Sequence, residues 1–505
     1  MRTTPLLALT VSSLILTACT SDPETNQPVE PVSSRHLDPA LSMTPAGVEL
    51  LASSDFSEGS PRIAITSSAD PVTGAVRGKV VAQLPIGAEN DVVTFRYFPA
   101  LDSFKASATA GPAIVDGDSV DVEQDAALIT VPLPAGHGDE VSVELPFAYT
   151  LPATELPSAL DALTGTLEPA QIGLLGRYPD RLSLGHWYPI WVPPGMRADA
   201  DPKGFGDISN FAAADLSLSL TVPEDWSVID GGVPVEKSTT DGLTTVTSYG
   251  TGMRDLSVAV VKGYVSRSRT VDGVTLNAWG PESAADELDG VLDETEAAVT
   301  ALSAAYTGYP WKEFDVVSTP LGGGVAGMEW PGATWIESAA FAGGFPGLGD
   351  LGELGELLGP LLGGGGLGEV IATTRPWTIA HEVAHIWWTI LVGNDSIAAP
   401  VVDEPLAQYS ACLVLRTTRD GADEICKAQI VSGFEGLSMS GDKDTKADQA
   451  SDEFASAAQY GGVVYGKAAW FYIVLEREFG KEKVRAALRD VVLERAFETA
   501  TGPDL

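Results

Sequence analysis

The sequence predicts two domains: an N-terminal all-β domain, then a mixed α and β domain that is mainly helical. Three observations carry this. The chain has 505 residues, enough for more than one domain with its own core. As far as Tyr264 it is rich in short alternating apolar runs separated by turn residues, the pattern of half-buried strands. After Pro281 the apolar spacing becomes helical, as in "SAADELDGVLDETEAAVTALSAAY".

In chain order, the first 18 residues read as an export leader. Arg2 supplies a positive end, and Leu6 to Leu16 form an apolar stretch too short to span a membrane. "LTAC", ending at Cys19, resembles a bacterial lipobox, which implies a lipidated Cys19 as the mature N-terminus. Residues 19–45, with "TSDPETNQPVEPVSS", read as a Pro-rich, acidic, unfolded tether. The expected location is the outer face of a bacterial membrane or the extracellular space, with the lipid as the only membrane contact. There Cys412 and Cys426, the remaining cysteines, are able to form a disulfide.

Residues 46–264 form the expected β domain. "RIAITSSADPVTGAVRGKVVAQLP" and "DLSLSLTVPEDWSVIDGG" are typical of its alternation. The boundary falls near Val265. In the second domain, residues 265–505, "FDVVSTPL" and "GATWIESAAF" read as strands and the chain from Pro376 as mostly helical. The Gly- and Leu-rich stretch within residues 343–370 reads as a surface insertion, because its glycines oppose a stable helix. Acidic residues outnumber basic ones by 69 to 30, a formal charge of -39. Such a field repels nucleic acid and anionic lipid, so neither is an expected partner.

The chemistry lies in "TTRPWTIAHEVAHIWWTILVG". It reads as a helix capped by Thr374, with Pro376 in its first turn and Gly393 at its end. Residues four apart share a helix face. His381 and His385 therefore reach one ion, and Glu382 projects close to it. A catalytic zinc needs a third protein ligand and an open position. Glu404 in "VVDEPLAQYSACLVL", after 18 intervening residues, is the candidate, at the start of a second helix.

These residues, at this spacing, resemble the zinc aminopeptidase family that includes alanyl aminopeptidases and leukotriene hydrolase. Its members commonly read "HELAHQWWGNLV" and then "WLNEGFAEY". The resemblance implies a thermolysin-like fold for the second domain and one zinc ion held by His381, His385 and Glu404, with Glu382 as the base. It implies more through two further segments. "AGMEWPG" answers the family's Gly-x-Met-Glu strand, so Gly327, Met328 and Glu329 would bind substrate, with Glu329 holding a free α-ammonium. "VVYGKAAW" answers the family's Tyr segment, so Tyr465 would stabilise the oxyanion, with Tyr460 as the fallback. Gln408 stands where the family tends to place an acid that orients a ligand histidine. Trp330, Asp403, Gln408 and Ala468 depart from the family's residues.

The expected function is a zinc metallopeptidase, an aminopeptidase acting on peptides with a free N-terminus. A zinc endopeptidase and a surface lipoprotein with a merely structural zinc are the other readings. Substrate side-chain preference and oligomeric state are not encoded in any single motif. Family members usually continue with more helices past the point matching Leu505, so a short form or an incomplete chain is expected.

Overall fold

The computed structural model describes residues 36–56, 59–155, 172–199, 206, 211–322, 325–344 and 367–504. The leader, Cys19, most of the tether and the bulk of the Gly- and Leu-rich stretch lie outside them.

The N-terminal part is built on a nine-stranded sheet. Its centre pairs Arg62–Asp70 with Ala75–Pro85, and Ala75–Pro85 with Glu140–Thr150, all antiparallel. On its other side Arg62–Asp70 runs parallel to Ala214–Pro223. The alternation read from the sequence sets which face is inside: Val76, Val80, Ala82, Leu84, Val141, Val143 and Leu145 are all fully buried. Each Val or Leu among them stabilises the fold by roughly 1.5–3 kcal/mol relative to an exposed one. Two four-stranded sheets complete this part.

The second part opens with a five-stranded sheet. Its strands are β1 (Tyr264–Val271), β2 (Val274–Pro281), β3 (Glu313–Thr319), β4 (Gly327–Trp330) and β5 (Ala333–Glu337), in the order β1-β2-β3-β5-β4. β4 is thus an edge strand, bonded on one side only, to β5. Helices follow: α1 (Leu288–Ala305) between β2 and β3, then α2 (Leu367–Ala384), α3 (Glu404–Thr418), α4 (Ala422–Ser440), α5 (Ala469–Phe479) and α6 (Lys481–Arg495). α1 buries the stripe Leu288, Val291, Leu292, Thr295, Ala298, Val299 and Leu302, which follows its helical period. Its C-terminal end carries Tyr306, whose hydroxyl meets Ser410 Oγ of α3 at 2.7 Å. Trp387 and Trp388 are fully buried behind this end. Trp387 Nε1 donates to Thr307 O at 3.1 Å, and Trp388 meets the Tyr306 ring edge-on at 5.3 Å.

Three expectations change. α2 already runs from Leu367, so Thr374 does not cap it and Pro376 lies inside it. Burial of Trp377, Ile379, Ala380, Val383 and Ala384 holds a helix that proline alone would tend to break. α2 also ends at Ala384, well before Gly393. Finally, "GATWIESAAF" is half strand and half helix, because Glu337 accepts from the amides of Ala339 and Ala340 and starts a short helix. Cys412 and Cys426 form a disulfide, Cα atoms 5.5 Å apart, that ties α3 to α4.

Candidate metal centre and substrate cleft

The site forms where the end of α2, the start of α3, the edge strand β4 and a helical segment at Gly461–Ala468 meet. His381 lies in the last turn of α2 and His385 just beyond it, so both imidazoles leave the same face. Glu404 is the first residue of α3. Asp403 Oδ1 accepts from the Glu404 amide at 2.5 Å, while its Oδ2 accepts from Asn394 and Ser396. The departure at Asp403 is therefore a working cap.

The three side chains converge on one point. His381 Nε2 is 3.1 Å from His385 Nε2 and 3.2 Å from Glu404 Oε2, and His385 Nε2 is 3.5 Å from that same oxygen. A tetrahedral zinc with ligand bonds of about 2.0–2.1 Å separates its ligand atoms by about 3.3 Å. The triangle has that size. Two imidazole nitrogens and one carboxylate oxygen leave buried lone pairs facing each other, which only a shared cation satisfies in full. Among the described residues, two groups bring at least three ligand atoms within 4.8 Å of one another. They are His381, His385, Glu404 and the adjoining Glu329, Glu382, His385.

Charge follows from this packing. Burial alone would raise the Glu404 carboxyl, but its contacts with His381 and His385 hold it well below the usual carboxylate range. Burial pushes Glu382 up to about 8, with His385 opposing and Glu404 adding to the rise. Burial disfavours charge on both imidazoles. It wins at His381, whereas at His385 the carboxylates of Glu329, Glu404 and Glu382 outweigh it. What stands is an ionised Glu404 opposite two imidazoles, and a metal ion would bind there in place of any proton they hold.

Around the triangle, each expected residue has a definite place. A Cβ on Gly327 would lie 2.4 Å from Glu382 Oε1, so only glycine lets β4 pass this close to the candidate base. Glu329 is buried, with Oε1 3.9 Å from His385 Nδ1. Met328 and Trp330 occupy the opposite face of β4 and pack into a small apolar cluster with Trp335. Trp330 packs inward, and with Glu329 it also lines a small cavity bordered by His186 and Arg254. Its ring meets His186 at 5.0 Å and Trp335 at 4.9 Å. Tyr465 projects from a π-helix, Gly461–Ala468, and its hydroxyl donates to Glu404 Oε1 at 2.5 Å. Its ring stacks on His381 at 6.0 Å. Tyr460 sits behind Tyr465, ring centroids 5.8 Å apart.

Gln408 does not do what its position suggests. Neither Gln408 Oε1 nor His381 Nδ1 has a hydrogen-bond partner among the described residues, so no bond joins them. His385 is oriented instead by its own chain: Nδ1 meets Trp388 O at 3.2 Å and Thr389 Oγ1 at 3.1 Å. Sequence reasoning missed Thr389, although it stands where the family segment quoted above has glycine. It also missed His186 and Asp255 of the β part, paired at 2.8 Å behind Trp330. Their signal, a lone His near a tryptophan, is too weak to read in one sequence.

A two-domain fold with a buried His-His-Glu triangle defines the class of molecule. No family model matches the chain, and no curated protein matches it in sequence. Solved structures do match. An M1 zinc metallopeptidase from Deinococcus radiodurans aligns with a TM-score of 0.59 at 16% identity, over 90% of this chain and 92% of that one. A mutant two-domain M1 zinc metallopeptidase bound to L-arginine aligns at 0.58 and 15% identity, over 88% and 89%. A D. radiodurans mutant bound to a Tyr-Ser-Ala substrate aligns at 0.57 and 15% identity, over 90% and 92%. At this identity the likeness shows a shared fold.

Proposed function

We propose that this chain is a zinc metallopeptidase that removes N-terminal residues from peptides. The observation that carries the reading is the triangle of His381, His385 and Glu404 at 3.1–3.5 Å, with Glu382 and Glu329 beside it. Zinc held there supplies Lewis-acid chemistry, acidifying a water and polarising the substrate carbonyl.

The chain's own residues do the rest. The substrate backbone adds to the free edge of β4, which leaves its first residue beside Glu329. Glu329 pairs with the terminal ammonium and fixes which bond meets the water. Glu382 takes the water's proton and passes it to the leaving nitrogen. Burial raises the basicity of Glu382, which favours its holding that proton between the two steps. Tyr465 turns its hydroxyl from Glu404 Oε1 to the developing oxyanion.

The exopeptidase part of the reading rests on Glu329. Paired reporter peptides, one with a free and one with an acetylated N-terminus, test it. Wild type should cleave only the free form, and Glu329→Ala should lose most of that preference. Equal cleavage of both forms by wild type would make it an endopeptidase. We also propose export and lipidation at Cys19; mass analysis of the mature N-terminal peptide should find a diacylglyceryl Cys19, and an uncleaved leader would refute it.

A further inference from the structure

We propose that Thr389 is a positioning residue for His385, held in a strained left-handed backbone by Arg254 of the β part. This rests on the reading of His385 as a metal ligand. It means that the β part sets the metal affinity of a site whose ligands all belong to the second part.

The chain past α2 is unusual. Ile390, Leu391 and Val392 donate their amides to His385, Ile386 and Trp387, each five residues back, so the helix ends in a wide turn. Inside it Thr389 has φ 108°, a region β-branched residues rarely enter. Strain of this kind persists only where surrounding structure over-determines it. Thr389 is locked by its amide bond to Val392 O at 2.8 Å. Next to it, Ile390 O accepts from Arg254 Nε at 2.8 Å.

Arg254 is fully committed to this turn and its neighbours. Its other two nitrogens donate to Phe211 O at 2.8 Å and Glu498 O at 2.6 Å. A Cβ on Gly393 would fall 2.1 Å from the guanidinium carbon, so glycine is what admits it. Phe497 and Ala500 add backbone bonds to Leu391 and Gly393 from the other side. The turn is clasped between the β part and the last residues described.

The product of the clasp is one hydroxyl. Trp388 O and Thr389 Oγ1 both sit at hydrogen-bond distance from His385 Nδ1. A carbonyl only accepts, so Nδ1 carries the proton and Nε2 turns its lone pair to the triangle. An accepting hydroxyl beside the carbonyl fixes the ring plane and raises the basicity of Nε2. Glycine at this position would relieve the strain and lose the hydroxyl. Retaining a strained threonine is accounted for if the hydroxyl has work to do.

The test measures zinc affinity of the full chain by competition with a chromophoric chelator, and the melting of the metal-free protein. Thr389→Val keeps shape and strain but lacks the hydroxyl; it should bind zinc about tenfold more weakly. Thr389→Ser should stay within about threefold of wild type. Thr389→Gly should bind weakly yet melt no lower than wild type. Arg254→Lys should weaken binding without touching a ligand. His385→Ala is the control. Wild-type affinity in Thr389→Val alongside lost affinity in His385→Ala overturns the positioning role alone. Wild-type affinity in His385→Ala overturns the metal reading itself.

Discussion

Two clusters among the described residues each gather three buried or half-buried carboxyl groups, and they differ in what faces the acids. At the candidate metal centre, Glu329, Glu382 and Glu404 share their pocket with two imidazoles. Where the β part meets the five-stranded sheet, Asp230, Glu313 and Asp315 are bonded by neutral donors. Ser248 and the Gly232 amide serve Asp230, Asn277 serves Glu313 and Trp279 serves Asp315. The outcome differs at one acid. Burial raises all three acids of the second cluster, Asp230 to about 7 and Asp315 well above its ordinary value. Glu404 is held ionised. Burial by itself neutralises acids. A basic partner keeps one of them an anion, and an anion is what a cation needs.

Removing the cation should therefore have the largest effect. Chelation should abolish peptidase turnover and lower the melting temperature, and added zinc should restore both. Unchanged turnover in excess chelator would place the metal centre with the neutral cluster.

Tyr465→Phe comes next. It leaves the aromatic stack on His381 but removes the hydroxyl. Turnover should fall by about 10²–10³ with KM little changed. A matching rise in KM would instead assign Tyr465 to substrate binding.

The smallest effect belongs to the second cluster. Asp230 has a folded-state pKa of about 7, above its unfolded value near 3.9. It therefore favours the fold below about pH 4, and that contribution fades as pH rises through 7. Asp230→Asn should raise stability by about 2 kcal/mol at pH 8 and change little at pH 3.5. Denaturant melts at both pH values check this. A loss of stability at pH 8 would mean that the carboxylate bonds to Ser248 and Gly232 outweigh its burial.

The sequence made the candidate site legible to a large degree, because its groups sit at fixed spacings on regular elements. The spacing of His381 and His385 and the position of Glu404 at a helix start needed only helix geometry. Strand alternation puts Glu329 and Trp330 on opposite faces of β4. What escaped was tertiary. Pro376 suggests a helix start, yet α2 already begins at Leu367. Gln408 has the right spacing, yet its Oε1 has no hydrogen-bond partner among the described residues. Thr389 reads as an ordinary residue until its backbone angle is known.

The most direct measurement of the central claim is zinc content and turnover of Glu382→Gln. Glu382 lies beside the triangle without being part of it, so the variant should keep one zinc per chain. Its turnover on aminoacyl reporters should fall by about 10²–10⁴. Full zinc occupancy with unchanged turnover would contradict the account.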